Sequence, residues 1–446
     1  MLDQLPAGPY RHVQLPDGVE VPYYIIPFDK KGRCEGPKTR RHLIDHSKEY
    51  TDIYLFSHGW NNDWKTATDR YESFIQGFIK MRKDNSLTMP QGYKPLLVGV
   101  FWPSAILVKE SEEGPQFAAG DPAIMDVKVA ASQQALRDLA SELPDNEVER
   151  FYELAQKDGF SEAEALEFAK ILQPIYNSGN DEITGAAARS PEEIVASWKQ
   201  LAMQAGAEPP NLDDFGVAGQ STGASATPAG ILDFVRDLPR NALRGVTVWQ
   251  MKDRAGTVGA SGVSPLLVDL LKTTNTRVNL IGHSYGGKIV LSALCVPDQL
   301  PRKVHSVLLL QPAVSHLCFA EQLPITGKSG GYHKTVERVE RPILSTFSKH
   351  DIPLTQFFHL ALIRPSDLGE IQIAAEGEPP SIFAALGGFG PRGCGEKLID
   401  IQDVNQPYAL DPAIRIYGLR GDRTIAGHGD ISNLSTWWAL YNLAKG

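Results

Sequence analysis

Ser284 lies in the run Gly282-His283-Ser284-Tyr285-Gly286, and the chemistry such a pattern serves is nucleophilic attack by a serine hydroxyl. G-x-S-x-G forms a nucleophile elbow when a strand enters it and a helix leaves it, because the serine then stands on a sharp turn above the strand ends. In a chain with 40 glycines the five letters alone say little, so the flanks decide. Val278-Asn279-Leu280-Ile281 is a short apolar run before the motif, and "KIVLSALCV" after it follows a helical pattern. Glycines at 282 and 286 fit a strained backbone with close neighbours. The helix that follows turns its N-terminal amides toward developing negative charge.

A serine hydroxyl needs a base, and the base needs a third group to orient it. In the strand–elbow–helix arrangement the chain order is serine, acid, histidine. Asp351 closes "ILSTFSKHD", at the carboxyl edge of a strand, and is the expected acid; capping the segment "IPLTQFFHLAL" is its alternative role. Asp298 lies in the link after the elbow helix, at the wrong end of a sheet, and the strand ending at Val314 has no carboxylate after it. His350 cannot easily serve Asp351, since neighbours on an extended segment face opposite ways. Among 11 histidines, His428 in "RTIAGHGDIS" occupies a glycine-flanked loop before the terminal helix "NLSTWWALYNLA" and is the expected base. His359 reads as a helix residue, and the His283 side chain is expected to point away from the serine, into the sheet top or core. Asp430 is the rival to Asp351. The backbone amides of Tyr285 and of Trp60, in "SHGW", are the expected oxyanion donors.

These residues need a scaffold. "YRHVQLPDGVEVPYYIIPF" carries two β-rich runs around Pro16-Asp17-Gly18, and the first 50 residues read as hairpin-like β structure. "DIYLFSHGW" is a strand. Trp64, Ala67, Tyr71, Phe74, Ile75 and Phe78 mark an amphipathic helix, and "YKPLLVGVFWPS" is a strand covered on both faces. Strand, helix, strand is a parallel βαβ unit. From about 105 to 245 the rhythm breaks into helices: "DPAIMDVKVAASQQALRDLASEL", "DNEVERFYELAQK", "SEAEALEFAKILQPIY" and "SPEEIVASWKQLAMQAG", each opened by an Asp or Ser N-cap, then the linker "AEPPNLDDFGVAGQSTGASATPAG". The alternation resumes with a helix at "SPLLVDLLKTT", the elbow, and strands at "VHSVLLLQPAV" and "RPILSTFSKHD". Either "KLIDIQDV" or "AIRIYGL" supplies a last strand. The reading is therefore an α/β core of 1–104 and 246–446 with a mostly helical lid or cap insertion of 105–245.

Composition excludes other classes. With 44 Lys plus Arg against 53 Asp plus Glu the net charge is −9, which disfavours nucleic acid or an anionic membrane as the main partner. Cys34, Cys295, Cys318 and Cys394 are scattered without ligand spacing, so free thiols in a reducing, cytoplasmic setting are expected and no metal site is. The first residues lack the pattern of a signal peptide, and no apolar run reaches membrane-spanning length.

In "LFSHGWNNDW", "GVFWPS", "LIGHSYGG", "SKHD" and "AGHGDIS", in that order, the chain resembles the α/β-hydrolase superfamily and its esterase- and lipase-like serine hydrolases. The likeness covers about residues 10–104 and 245–446. It implies an eight-stranded, mostly parallel sheet, a Ser284–His428–Asp351 triad, and hydrolysis of a small-molecule ester, with an apolar acyl part, through an acyl-enzyme without a cofactor. An aromatic acyl pocket from Trp60, Phe101, Trp102 and Tyr285 is conceivable on the same reading. Thioester or amide cleavage, acyl transfer, and a non-catalytic binding protein are the alternatives. Two departures stand out: an insertion of about 140 residues, and the long excursion over 366–412, containing "EGEPPSIFAALGGFGPRGCG", between acid and base.

Overall fold

Apolar runs too continuous to alternate become strands covered on both faces, and such strands form the centre of a nine-stranded sheet in the computed structural model of the chain. It describes residues 5–60, 62–104, 136–157, 159–177, 188–204, 231–324, 326–359 and 378–445. β1 (Arg11–Gln14) and β2 (Glu20–Pro27) form the hairpin expected around Pro16-Asp17-Gly18, with Val13 opposite Val21. β3 (Asp52–Ser57), β4 (Pro95–Phe101), β5 (Arg277–His283), β6 (Ser306–Leu310), β7 (Ile343–Phe347), β8 (Lys397–Asp400) and β9 (Ile416–Arg420) complete the sheet. Its order is β1-β2-β4-β3-β5-β6-β7-β9-β8, and every pairing except β1–β2 is parallel. β3, β6 and β7 are buried at every position, as their sequences dictate.

Helices flank this sheet, among them α1 (Pro37–His46), α2 (Trp64–Asp84), α3 (Asp145–Ala155), α4 (Glu162–Asn177), α5 (Pro191–Gln204), α6 (Ile231–Thr257), α7 (Ser264–Thr273), α8 (Tyr285–Cys295), the single turn α9 (Leu386–Phe389) and α10 (Leu434–Lys445). One core lies on the α1, α7 and α8 face and continues into α3–α6 through Phe151, Phe168 and Trp198; the other lies under α2 and α10. No helix among the described residues is long and apolar enough to cross a membrane.

Several expectations are corrected. Residues 37–46 are helical, not β: Pro37 sits in the first turn, where its missing N–H costs nothing, and only Thr39 and Leu43 are buried. The sheet has nine strands rather than eight, because "KLID" and "IYGLR" both become strands and pair with each other. β8 takes the edge, and its short, charged sequence suits that place. β6 stops at Leu310, not Val314. Ser161 and Ser190 do start helices, as capping boxes with Glu164 and Glu193, whereas Asp145 falls inside the first turn behind Pro144. The expected helix over 121–143 lies outside the described residues up to 135, as does the linker 207–230. α6 runs unbroken across residues 245 and 246, and a π-helical turn over Val258–Val263 joins it to α7.

Candidate active site

β5 delivers Ser284 at the carboxyl edge of the sheet, and the backbone there is strained. Ser284 has φ +54° and ψ −125°, a conformation that only over-determined surroundings hold in a residue with a side chain. Both its main-chain groups are pinned: the N–H donates to Leu310 O at 3.1 Å, and the carbonyl accepts from Gly287 N at 3.0 Å and Ala313 N at 3.1 Å. The glycines answer to contact. A Cβ on Gly286 would lie 2.1 Å from Ser57 O, and one on Gly282 would lie 2.6 Å from Gly287 Cα. α8 therefore starts hard against β3. Ser284 occupies its N-cap position without using its hydroxyl as a cap, and Oγ makes no hydrogen bond.

Asp351 and His428 are brought together. His428 Nδ1 donates to Asp351 Oδ2 at 2.8 Å, both side chains are sealed from solvent, and Nε2 is left as the basic nitrogen. Asp351 plays both roles weighed for it, since Oδ1 also accepts the Leu354 amide at 3.1 Å. Burial pushes its carboxyl upward, opposed by the His428 ring and the Leu354 N–H. Asp430 instead closes its own loop, accepting from Ala426 N at 2.9 Å and Asn433 Nδ2 at 3.2 Å.

Supporting residues emerge that the sequence did not single out for these roles. His283 Nε2 donates to the His428 carbonyl at 2.9 Å. Burial holds that ring well below the usual histidine range, so it is neutral with its proton on Nε2. Gln311, at φ +39°, donates from Nε2 to the carbonyls of Gly427 (3.1 Å) and His428 (3.2 Å), while Thr346 Oγ1 donates to its Oε1 at 3.1 Å. The His428 loop is thus fastened to β5 through His283 and, through Gln311, to the end of β6 and to Thr346 of β7. Only the position of Gln311, directly after a buried strand, hinted at this.

The "SHGW" loop is fastened with equal care. A Cβ on Gly59 would sit 2.6 Å from Ser284 Cβ, so the loop backbone lies directly against the serine. His58 donates from Nδ1 to Gly59 O at 2.8 Å and accepts from Trp102 N at 3.3 Å, which fixes one neutral tautomer; burial lowers its pKa to about 3. Asn62 Nδ2 donates to Gly59 O (3.0 Å) and Trp60 O (2.7 Å), and Tyr71 Oη accepts the His58 amide at 2.8 Å. Trp60 and Tyr285, the expected oxyanion donors, meet edge to face with ring centroids 5.8 Å apart. Trp102 and Phe101 do not form a pocket with them: Trp102 stacks on His58 and donates to its carbonyl at 3.0 Å, and Phe101 packs on Trp64. His359 is buried, its pKa lowered to about 4 by desolvation.

The insertion reaches the site through α6, where Val248 O accepts from Tyr285 Oη at 3.2 Å. The described part of the 366–412 excursion does so too: Gly387 N donates to Pro312 O and Leu386 N to Val314 O, before β8 joins the sheet edge. Ser284, Asp351, His428, Trp60 and Tyr285 are each at most 1% exposed, so a substrate reaches the serine only after something covering it moves. Among the described residues no cluster of His, Cys, Asp and Glu is arranged to hold a metal ion. The chain matches no family model, no curated protein and no solved structure, and the geometry of its own site carries the functional argument.

Proposed function

We propose that the chain is a serine hydrolase of the α/β-hydrolase type, cleaving a carboxylic ester through an acyl-enzyme. The observation that carries this reading is a backbone-strained Ser284 at the sheet edge whose neighbour His283 holds the loop of the buried His428–Asp351 couple. Ser284 Oγ attacks the ester carbonyl while His428 Nε2 takes its proton. The carbonyl oxygen becomes an oxyanion, received by the amides of Tyr285 and Trp60. Collapse expels the alcohol, which takes the proton back from His428. Water, deprotonated by the same nitrogen, then attacks the acyl group and releases the acid. Asp351 holds the imidazole tautomer and stabilises the transient imidazolium.

No hydrogen bond joins Ser284 Oγ to the imidazole in this conformation. Catalytic hydrogen bonds commonly tighten only with substrate in place. The covered site suits the same sequence of events, with the covering segments moving, the substrate binding, and the hydroxyl turning to its base. Thioester cleavage, amide cleavage and acyl transfer use identical groups and differ in the leaving atom and in water access.

A fluorophosphonate probe tests the reading. It is expected to label the wild type at Ser284 and to leave Ser284→Ala untouched, with both chains giving the same circular dichroism. Equal labelling of the two, or none of either after detergent or substrate-length esters have opened the site, removes the nucleophile and with it the proposal.

A further inference from the structure

A second site lies on the other face of the sheet. Between α2 and strands β2, β3 and β4 there is a cavity of about 50 Å³, room for roughly three or four waters or a short carbon chain. Tyr23, Leu97 and Tyr54 stand side by side across it by strand register, forming its floor. Gly99 keeps the floor low: a Cβ there would come 2.8 Å from the Tyr71 ring and 3.1 Å from Tyr23 Oη. Ile75, Phe78 and Ile79 of α2 line the roof but are only half-buried, so the wall reaches solvent.

The lining is apolar, and two of the side chains that form it carry buried polar atoms that ask for a partner. Arg82 is 4% exposed, lines the cavity, and makes no hydrogen bond through Nε or Nη1. Among the described residues it forms no ion pair, and the Tyr93 ring, 5.6 Å from its guanidinium carbon, is the charge-favouring contact beside it. Tyr23 Oη is also buried without a partner. A guanidinium taken out of water with no counter-ion is costly, and arginine presents a fixed fork of donors that matches a carboxylate. The side chain stands in the last turn of α2, yet none of its nitrogens bonds the terminal carbonyls, so helix capping does not account for it.

We propose that this cavity binds a small monocarboxylate with a short apolar tail, the carboxylate meeting Arg82 and the tail lying over the sheet face at Leu97 and Gly99. The proposal does not depend on Ser284 being a nucleophile. Arg82 and the cavity lie beneath α2 on one face of the sheet, while Ser284 stands at its carboxyl edge, three residues beyond Ile281 of the cavity wall.

Hexanoate, hexan-1-ol and hexylammonium serve as probes, titrated calorimetrically into the full chain carrying Ser284→Ala. Hexanoate is expected to bind about tenfold more tightly than the alcohol, and hexylammonium not to bind, since a charge-assisted bond to Arg82 is the difference between them. Arg82→Met should weaken hexanoate about tenfold and leave hexan-1-ol within about twofold. Methyl resonances of Ile75 and Ile79 should shift with hexanoate while that of Ala313, whose amide donates to the Ser284 carbonyl, stays still; this measurement decides the matter even if Arg82→Met does not fold. No binding of hexanoate (a cavity for water only), equal binding of the three probes, or a response at Ala313 with none at Ile75 would overturn the proposal.

Discussion

The two ends of strands β3 and β5 each hold a buried polar cluster, and the clusters differ in kind. At the amino end, Asp52 is fully buried and Arg277 reaches it from Nε at 2.9 Å. Asn279 Nδ2 donates to the same carboxylate at 3.3 Å, and Ser306 Oγ donates to Asn279 Oδ1 at 2.6 Å. Each of these groups has a partner and none sits in a strained conformation. At the carboxyl end, Ser284 is strained, its hydroxyl has no partner, and its neighbours His58 and His283 are held neutral. Buried polarity that closes on itself stabilises a sheet. Polarity left open, at a cost in backbone strain, is what a reacting group leaves behind.

The largest effect that would break this contrast is at Ser284. Ser284→Ala should lower kcat on an activated ester by about 10⁶-fold with the urea midpoint unchanged or raised, since a strained polar residue is lost; a drop in stability with activity intact would place Ser284 in the same class as Asp52. Asp351→Asn is expected to cost about 10⁴-fold in kcat, whereas Asp430→Asn, which touches only its own loop, should stay within about threefold. Steady-state kinetics on the two variants side by side check the assignment.

Asp52→Ala makes the opposite prediction. It should destabilise the chain by about 3 kcal/mol, toward the low end for a broken buried pair because Arg277 keeps some solvent contact, and leave kcat per folded molecule unchanged. Acidification sharpens the comparison further. His58 and His283 have folded pKa values below the unfolded one, so their contribution to stability is full above about pH 6.5 and is lost as pH falls. Each should remove about 1.4 kcal/mol per pH unit below about pH 6, read as a falling urea midpoint, and His283→Gln should flatten that slope by one histidine's share. Gln311→Ala is the mildest change: a roughly tenfold loss of kcat with little effect on KM, because it steadies the base without touching substrate.

Legibility in the sequence followed locality. The elbow could be read because Gly282, Ser284 and Gly286 fall within five residues, even though the contact Gly286 answers to, Ser57 O, lies far off in the chain. Asp351 and His428 could be read because both follow strands whose apolar runs announce themselves. Gln311 and Tyr71 could not, since their work is to bond carbonyls and amides that only the folded chain brings near. The Asp52 cluster was invisible for the same reason: its partners lie more than two hundred residues away. The helix at 37–46 was missed because a mostly polar ten-residue segment buries too little to print a period.

Asp351 and His428 are 77 residues apart in the chain, yet they follow strands that are immediate neighbours, with Phe347 paired to Arg420. Their spacing is fixed by one ladder of main-chain hydrogen bonds, and β8 attaches on the outer side without intervening. The stretch between them is therefore mechanically a single excursion from a rigid edge, and lengthening it carries only the slow logarithmic penalty of a longer loop. Such a layout leaves a place to graft whole modules between Asp351 and His428 while the two side chains stay in register.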